Sequence, residues 1–457
     1  MTRRDILEDE IGKKLPAIRV FSLAIDFLRK DVLDTLSRHV DTKNFESDIQ
    51  WVLTVPAIWN DAAKQFMREA AQQAGIPGKN LRLCLEPEAA SIYCRHLPVL
   101  KCTEQEVASF SQFSPGTKYL VLDAGGGTVD ITVHEVTDNG NLKELVKASG
   151  GQMGGTKVDE AFEKFISSIV GLDVISKFKS LHMEDYIDIC REFESKKRKP
   201  IHSTSSVTIR LPSSLSELCE EFRETGLREL LLQSRFENKV QVVRDRLKID
   251  NDVFNEFFEP TVCKIISHVK NLLTTPSVDG CAAILMVGGF SESSVLQENV
   301  KSTFKDIKII VPDEAGLAVL KGAVIFGHKP TTITERVCKF TYGEEVVHEY
   351  SESCKHPKEG HSVQVNEEQT ERIATPISND QTTINTIVYS SSSRNPQLTT
   401  EDRCKLIGKL TVPISDTSSG INHKFGTSFS FGGTKIVVKV VDKESGEMML
   451  KSVDVLG

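Results

Sequence analysis

Along the first two-thirds of the chain, apolar residues recur sometimes every three or four positions and sometimes every two, which predicts helices and strands in alternation. Phe21, Ile25, Leu28, Val32 and Leu36 keep helical spacing and predict one buried helix face. Trp51-Val52-Leu53-Thr54-Val55-Pro56 reads as a buried strand. The next helix is opened by Asn60 as a cap and closed by Gly75, with Ala63, Phe66, Met67, Ala70 and Ala74 on its inner face. This alternation runs to about residue 328, the pattern of an α/β domain. After Lys329-Pro330 the texture changes: residues 350–400 are rich in Ser, Thr, Asn, Glu and Lys and predict a mobile loop. From Lys405 onward period-two alternation takes over, through Phe429, Phe431, Ile436, Val438 and Val440, and residues 442–447 read as a hairpin turn. Two units are therefore expected, an α/β body over residues 1–328 and a β-rich domain over 329–457.

Composition narrows the classes. A chain of 457 residues has room for three domain-sized pieces. Its 56 Lys+Arg against 64 Asp+Glu give a net charge of −8, which offers no basic face for nucleic acid. No apolar run approaches the ~20 residues of a membrane span, and acidic residues, not an apolar core, follow Met1-Thr2-Arg3-Arg4-Asp5. The ten cysteines stand singly with no Cys-x-x-Cys pair, which predicts reduced thiols in the cytoplasm and argues against a disulfide scaffold or a zinc ribbon.

Candidate chemistry gathers at glycines that follow strands. In Tyr119-Leu120-Val121-Leu122-Asp123-Ala124-Gly125-Gly126-Gly127-Thr128-Val129-Asp130 a strand enters a triple glycine and a second strand leaves it, since Val129, Ile131 and Val133 alternate with Asp130, Thr132 and His134. Glycines let backbone N–H groups approach phosphate oxygens, and Asp123 and Asp130 are placed to face Mg²⁺ through its waters. A plain glycine-rich hairpin with a capping aspartate has the same wording. In Gly150-Gly151-Gln152-Met153-Gly154-Gly155-Thr156-Lys157-Val158-Asp159, Thr156 and Asp159 have capping-box spacing, and the glycines open a helix whose N-terminus is either an anion site or a tight turn before a core helix. Val287-Gly288-Gly289-Phe290-Ser291 repeats the strand and glycine pattern. Finally, the stripe Met183, Ile187 and Cys190 extrapolates to Glu194 and Lys197, with Arg198 alongside. Either a polar ligand meets those charges or the helix emerges into solvent there.

These pieces, in this order, resemble the actin-like ATPase (ribonuclease H-like) fold as used by the 70-kDa heat-shock chaperone family, and look closest to one divergent branch of it. Val52-Leu53-Thr54-Val55-Pro56-Ala57 with Asn60-Asp61 is similar to the family's first connecting segment, and Leu85-Glu86-Pro87-Glu88-Ala89-Ala90 to its Asn-Glu-Pro-Thr-Ala-Ala segment. Residues 123–130 resemble its second phosphate loop, and Gly288-Gly289 with Pro312-Asp313-Glu314-Ala315 its adenosine-binding motif. The resemblance implies ATP or ADP with Mg²⁺ as cofactors. Asp123 and Asp130 would hold the hydrated metal, with Glu86 in the same network and Thr128 near the γ-phosphate. Gly125, Gly126 and Gly127 would donate to phosphate oxygens, and Gly154 and Gly155 would lie along the ribose. Glu194, Lys197 and Arg198 would sandwich the adenosine opposite Gly288, Gly289 and Asp313. Catalysis in such a site is positioning and charge stabilisation.

Departures from the family's pattern shape the functional expectation. No segment before Trp51 resembles the first phosphate loop, and no phosphate-contacting lysine stands there, so hydrolysis is expected to be weak or absent. Leu85 replaces the Asn before Glu86, and Lys329-Pro330-Thr331-Thr332-Ile333-Thr334 does not match the apolar interdomain linker. The C-terminal part is expected to resemble a substrate-binding β-sandwich without a helical lid. The reading is an ATP-binding, chaperone-like protein with protein or peptide clients, no nucleic acid and no membrane span. The alternatives are a non-enzymatic adaptor on a degenerate body, or a small-molecule kinase on the same fold, for which no acceptor pocket is visible.

Overall fold

The computed structural model describes residues 2–9, 11–39, 45–96, 100–102, 106–108, 113–198, 206–344, 360–365, 367–396, 398–414, 417–432 and 434–453. The elements that position the site are α1 (Ala17–Ser37), β1 (Trp51–Val55), α2 (Asp61–Gln73), β2 (Leu81–Leu85), α3 (Glu86–His96), β3 (Lys118–Ala124), β4 (Val129–Val136), β5 (Leu142–Gly151), α4 (Thr156–Val170), α5 (Leu172–Leu181), α6 (Met183–Lys197), β6 (Ala283–Val287), β7 (Lys308–Ile310), α7 (Ala318–His328), β8 (Ile333–Val337) and β9 (Ser362–Gln364). The central sheet has seven strands in the order β7-β6-β3-β4-β5-β8-β9. β3, β4 and β5 form an antiparallel meander, while β6 runs parallel to β3 and β8 runs parallel to β5. A two-stranded parallel sheet, β1-β2, stands apart from it. The mixed α/β architecture is that of the expected fold class.

Both faces of the central sheet are covered, which is why β3 and β6 read as continuous apolar runs. Leu120, Leu122, Ile131 and Met286 pack on one side with the phenylalanines of α4 and α6. Tyr119, Val121, Leu285 and Val287 pack on the other with α3 and α7. This two-sided cover also buries the polar half of the β4 alternation. His134 is 1% exposed, hydrogen-bonded through Nδ1 to Ser91 Oγ at 3.3 Å, and burial pushes its pKa down to about 4.

Local signals decide where α2 begins and ends. Asn60 Oδ1 accepts the Ala63 N–H at 2.9 Å, and Gly75 takes φ +87° just past the last turn. The stripe read on α1 needs correction: Ala17, Ile18 and Ser22 are its buried residues, whereas Leu28 is 63% and Val32 42% exposed. Only the first half of α1 lies over Val55 and Phe66, so the remaining apolar positions have nothing to cover them among the described residues.

The chain beyond residue 328 does not leave the body at once. β8 and β9 extend the central sheet, with β8 pairing to β5 where the sequence showed no match to an apolar linker. Two further sheets follow: Thr341–Glu344, Thr383–Ser391 and Cys404–Pro413 make one, and Arg372–Ala374, Phe425–Gly432, Lys435–Asp442 and Met448–Ser452 the other. Ile384, Val388, Leu410, Phe425, Val438 and Val440 form the core between them. Of the expected mobile loop, residues 350–359 lie outside the described residues, and three strands fall within 360–396. No helix among the described residues is long and apolar enough to cross a membrane.

Helix α7 crosses α3 at Gly322, where a Cβ would land on the Ala89 backbone carbonyl. Gly322→Ala is therefore expected to lower stability by about 2–3 kcal/mol in urea denaturation, although alanine favours a helix by about 1 kcal/mol. An unchanged or raised stability would show that the two helices can separate freely.

Candidate functional site

The β3–β4 hairpin builds the first half of the site. Asp123 near the end of β3 and Asp130 near the start of β4 are register partners, 4% and 1% exposed. Glu86, the first residue of α3, completes a group of three carboxyls. Burial raises all three pKa values, and mutual repulsion adds to it: Glu86 is pushed up to about 7 with help from Asp130, and Asp123 stands well above the carboxylate range beside Glu86 and Asp130. Asp130 is held back by the Ile58 N–H at 2.8 Å, by the Thr128 hydroxyl and by the Ala57 backbone. No Lys or Arg among the described residues hydrogen-bonds to any of the three, and Lys339 acts on Asp130 through its charge alone, so the cluster is only partly compensated. That deficit fits a divalent cation. No three His, Cys, Asp or Glu among the described residues are spaced to ligate an ion directly, which leaves water between carboxylate and metal.

The glycine turn is fixed from behind. Its own hydrogen bond runs from Gly125 N–H to Thr128 O at 2.9 Å. The carbonyls of Gly125, Gly126 and Gly127 accept the N–H groups of Gly155 (3.0 Å), Thr156 (2.8 Å) and Gly154 (3.3 Å), respectively. The start of α4 is thus spent on the turn and is not an open anion site. Nor does the capping box form, since no side chain caps α4 and Asp159 turns instead to Lys197. What the docking leaves free are the N–H groups of Gly126 and Gly127, which have no acceptor among the described residues and sit on exposed backbone. Gly154 has to be glycine, because a Cβ there would lie 2.6 Å from Gly125 O. Gly288 has φ +85°, and its Cβ would lie 2.5 Å from both Ala124 O and Asp123 Oδ1.

A cavity of about 60 Å³ continues from the turn, lined by Gly126, Gly155, Gly289, Phe290, Ser293 and the Glu194, Lys197 and Arg198 side of α6. Lys197, 6% exposed, donates to Asp159 Oδ1 and Oδ2 at 2.8 and 2.9 Å and to Gly155 O at 3.3 Å, and pairs with Glu194. Glu194 also receives Arg198 Nε at 2.6 Å, and Arg198 reaches towards Glu292 at 3.8 Å. Phe290 stacks on Phe258 at 6.5 Å and 16°. The buried Ser293 Oγ has no partner among the described residues, and Ser293 lines this cavity. Free N–H groups, an orphaned hydroxyl and partly compensated carboxyls along one cleft are the donor set a Mg²⁺-nucleotide would use.

The sequence-predicted residues thus fall into two groups. Glu86, Asp123, Thr128 and Asp130 meet at the hairpin, and Gly126, Gly155, Glu194, Lys197, Arg198 and Gly289 line the adjoining cavity. Gly288 stands behind Asp123, and Asp313 is exposed on the turn after β7 without lining the cavity. The α6 stripe is corrected as well: Ile189, Phe193 and Lys197 are buried, while Met183 and Ile187 are 37% and 39% exposed. Asp159, read from its spacing as part of a cap, instead pairs with Lys197, and Ser293 and Ile58 carried no readable signal. Nor did Lys339, whose ammonium binds Ile58 O behind the Ile58 N–H that holds Asp130.

A carboxyl whose folded-state pKa lies above its ordinary 4.5 favours folding while protonated, so the Glu86 contribution is complete below pH 4.5 and lost as pH rises through 7. Glu86→Gln, which mimics the protonated form, is expected to be about 1–3 kcal/mol more stable than the parent at pH 8 without divalent ions, and equal to it at pH 4.5. Urea denaturation at the two pH values checks this; a variant less stable at pH 8 would refute the charge crowding.

A family-wide profile described as Hsp70 protein matches residues 10–423. Human heat shock 70 kDa protein 12A is 32% identical over 515 residues, covering 97% of this chain and 76% of its own length. The mouse protein of the same name is 33% identical over the same coverage. Human heat shock 70 kDa protein 12B is 31% identical over 534 residues, 100% of this chain and 78% of the relative.

Proposed function

The chain belongs to the Hsp70 protein family, and from that premise we propose that it binds ADP and ATP with Mg²⁺ in the cleft between the β3–β4 hairpin and α6. The observation that carries the reading is the continuity of three complementary surfaces. Free N–H groups at Gly126 and Gly127 suit phosphate oxygens, the Asp123–Asp130–Glu86 cluster suits a hydrated cation, and the small Gly289–Ser293–Lys197 cavity offers polar contacts to one edge of a nucleoside lying over its mouth. Bound Mg²⁺ would neutralise phosphate charge and supply the rest of the counter-charge the carboxyls need. The protein's share is geometric: the α4 docking holds the turn, the Ile58 N–H orients Asp130, and the Lys197 pairs hold α6 against α4.

Turnover is proposed to be slow. One glycine turn faces the cleft among the described residues, and Lys339 acts on Asp130 through its charge without a hydrogen bond to it. The β-rich part is proposed to engage extended protein or peptide segments, a chaperone-like role supported by the two-sheet architecture and the family. The cytosol is the proposed compartment, supported by single, unpaired cysteines.

Calorimetric titration with Mg-ADP and Mg-ATP tests the reading. Saturable one-to-one binding is expected, weakened about tenfold or more, ~1.4 kcal/mol, by Asp130→Asn in the presence of Mg²⁺ and little changed by that substitution in chelator. Heatless titrations with a folded protein would sink the nucleotide reading and leave the body as a scaffold.

A further inference from the structure

A second polar cavity, of about 90 Å³, lies where the body meets the β-rich part and shares no lining residue with the cavity beside the glycine turn. Its charged walls are Asp61 and Lys64 of α2, Glu144 of β5, Arg336 of β8, Lys339 just beyond, and Lys435 from the far sheet. Four cations against two carboxylates already tilt the balance, and both carboxylates are engaged elsewhere. Asp61 accepts the Tyr342 hydroxyl at 2.7 Å. Glu144 accepts the Val337 N–H at 2.9 Å, and burial pushes its pKa up to about 7, which weakens its charge at neutral pH.

Two of the cations have donors to spare. Arg336 gives Nε and Nη2 to Glu88 at 2.7 and 2.6 Å, which leaves its Nη1 buried with no acceptor. Lys64 has no side-chain hydrogen bond and no ion pair among the described residues; burial depresses its pKa, with a smaller push from the Arg336 charge, against the pull of Asp61, Glu88 and Glu144. Lys339 donates to the Ile58 and Trp59 carbonyls and is itself depressed by burial and by Lys64. Half-buried like charges, with a buried donor unmet at Arg336 Nη1 among the described residues, call for a negatively charged acceptor. The volume suits one tetrahedral oxyanion; roughly three waters, at ~30 Å³ each, would fill the space without meeting the charge.

We propose that this cavity binds a small oxyanion of the phosphate class between Lys64 and Arg336, tying α2 to the strand that leads into the β-rich part. The anion accepts from Arg336 Nη1 and from the Lys64 ammonium, and the Glu88 pair holds the guanidinium flat for that contact. Because it joins two segments far apart in sequence, its presence strengthens the seating of β8 on the body.

Equilibrium dialysis of the full chain against radiolabelled inorganic phosphate, at ionic strength fixed with chloride, tests this. One phosphate per chain is expected, retained in the presence of Mg-ADP, retained within about threefold in Lys64→Arg and weakened at least about tenfold in Lys64→Met. Without phosphate, Lys64→Met is expected to melt at or above the parent temperature, since it removes an uncompensated half-buried cation. No saturable binding would overturn the proposal and leave water as the occupant. Displacement of the bound phosphate by Mg-ADP would overturn it by moving the phosphate to the glycine turn, and so would unchanged binding in Lys64→Met. A Lys64→Met protein that melts lower without phosphate would show that Lys64 is already compensated, which also overturns it.

Discussion

The contact on which the site depends is the seating of the Gly125–Thr128 turn on the start of α4. Two N–H groups at the start of α4, which a helix normally leaves unsatisfied, and the Gly154 N–H just before them all find carbonyl acceptors on the turn. The turn is thereby held with its remaining N–H groups facing outward, and α4 is fixed against the sheet that carries Asp123 and Asp130. The approach is so close that Gly154 tolerates no side chain, and Gly288 closes in on Asp123 from the other side under the same restriction. Three glycine segments, spread along the chain between Gly125 and Gly289, are one packed unit.

Around that unit the charges are deliberately out of balance in two places. At the hairpin three carboxyls crowd together with only the charge of Lys339 nearby and no cation bonded to them among the described residues; at the junction with the β-rich part cations gather with a donor unmet. The first turn of α3 separates the two. Glu86 faces Asp130, and Glu88, two positions on and pointing elsewhere, grips Arg336. On the other flank Lys339 holds the Ile58 carbonyl while the Ile58 N–H holds Asp130. The segment after α7 is therefore mechanically joined to the nucleotide cleft by two short polar connections, although its sequence shows no match to the family's apolar linker.

Much of the fold was legible because its causes are local. The Asn60 cap, the Gly75 stop and the unbroken apolar runs of β3 and β6 are each set by a few neighbouring residues and their backbone preferences. Readings failed where an apolar stripe was extrapolated without knowing what covers it. On α1 the stripe outruns its cover, and on α6 the buried line passes through Ile189, Phe193 and Lys197, not Met183 and Ile187. The Thr156–Asp159 spacing promised a cap that Lys197, from a helix almost forty residues on, took away by offering Asp159 a full charge.

By itself, then, the sequence determined the alternation of elements, the glycines that let backbone approach backbone, and the acidic residues that flank the turn, since steric freedom and periodicity are properties of adjacent residues. The tertiary structure alone decided which donors stay free and which charges stay unmatched. Whether Gly126 keeps its N–H, Ser293 its hydroxyl or Arg336 its third nitrogen depends on partners brought together from distant segments, and satisfaction of a buried polar group is settled only when the whole neighbourhood is assembled.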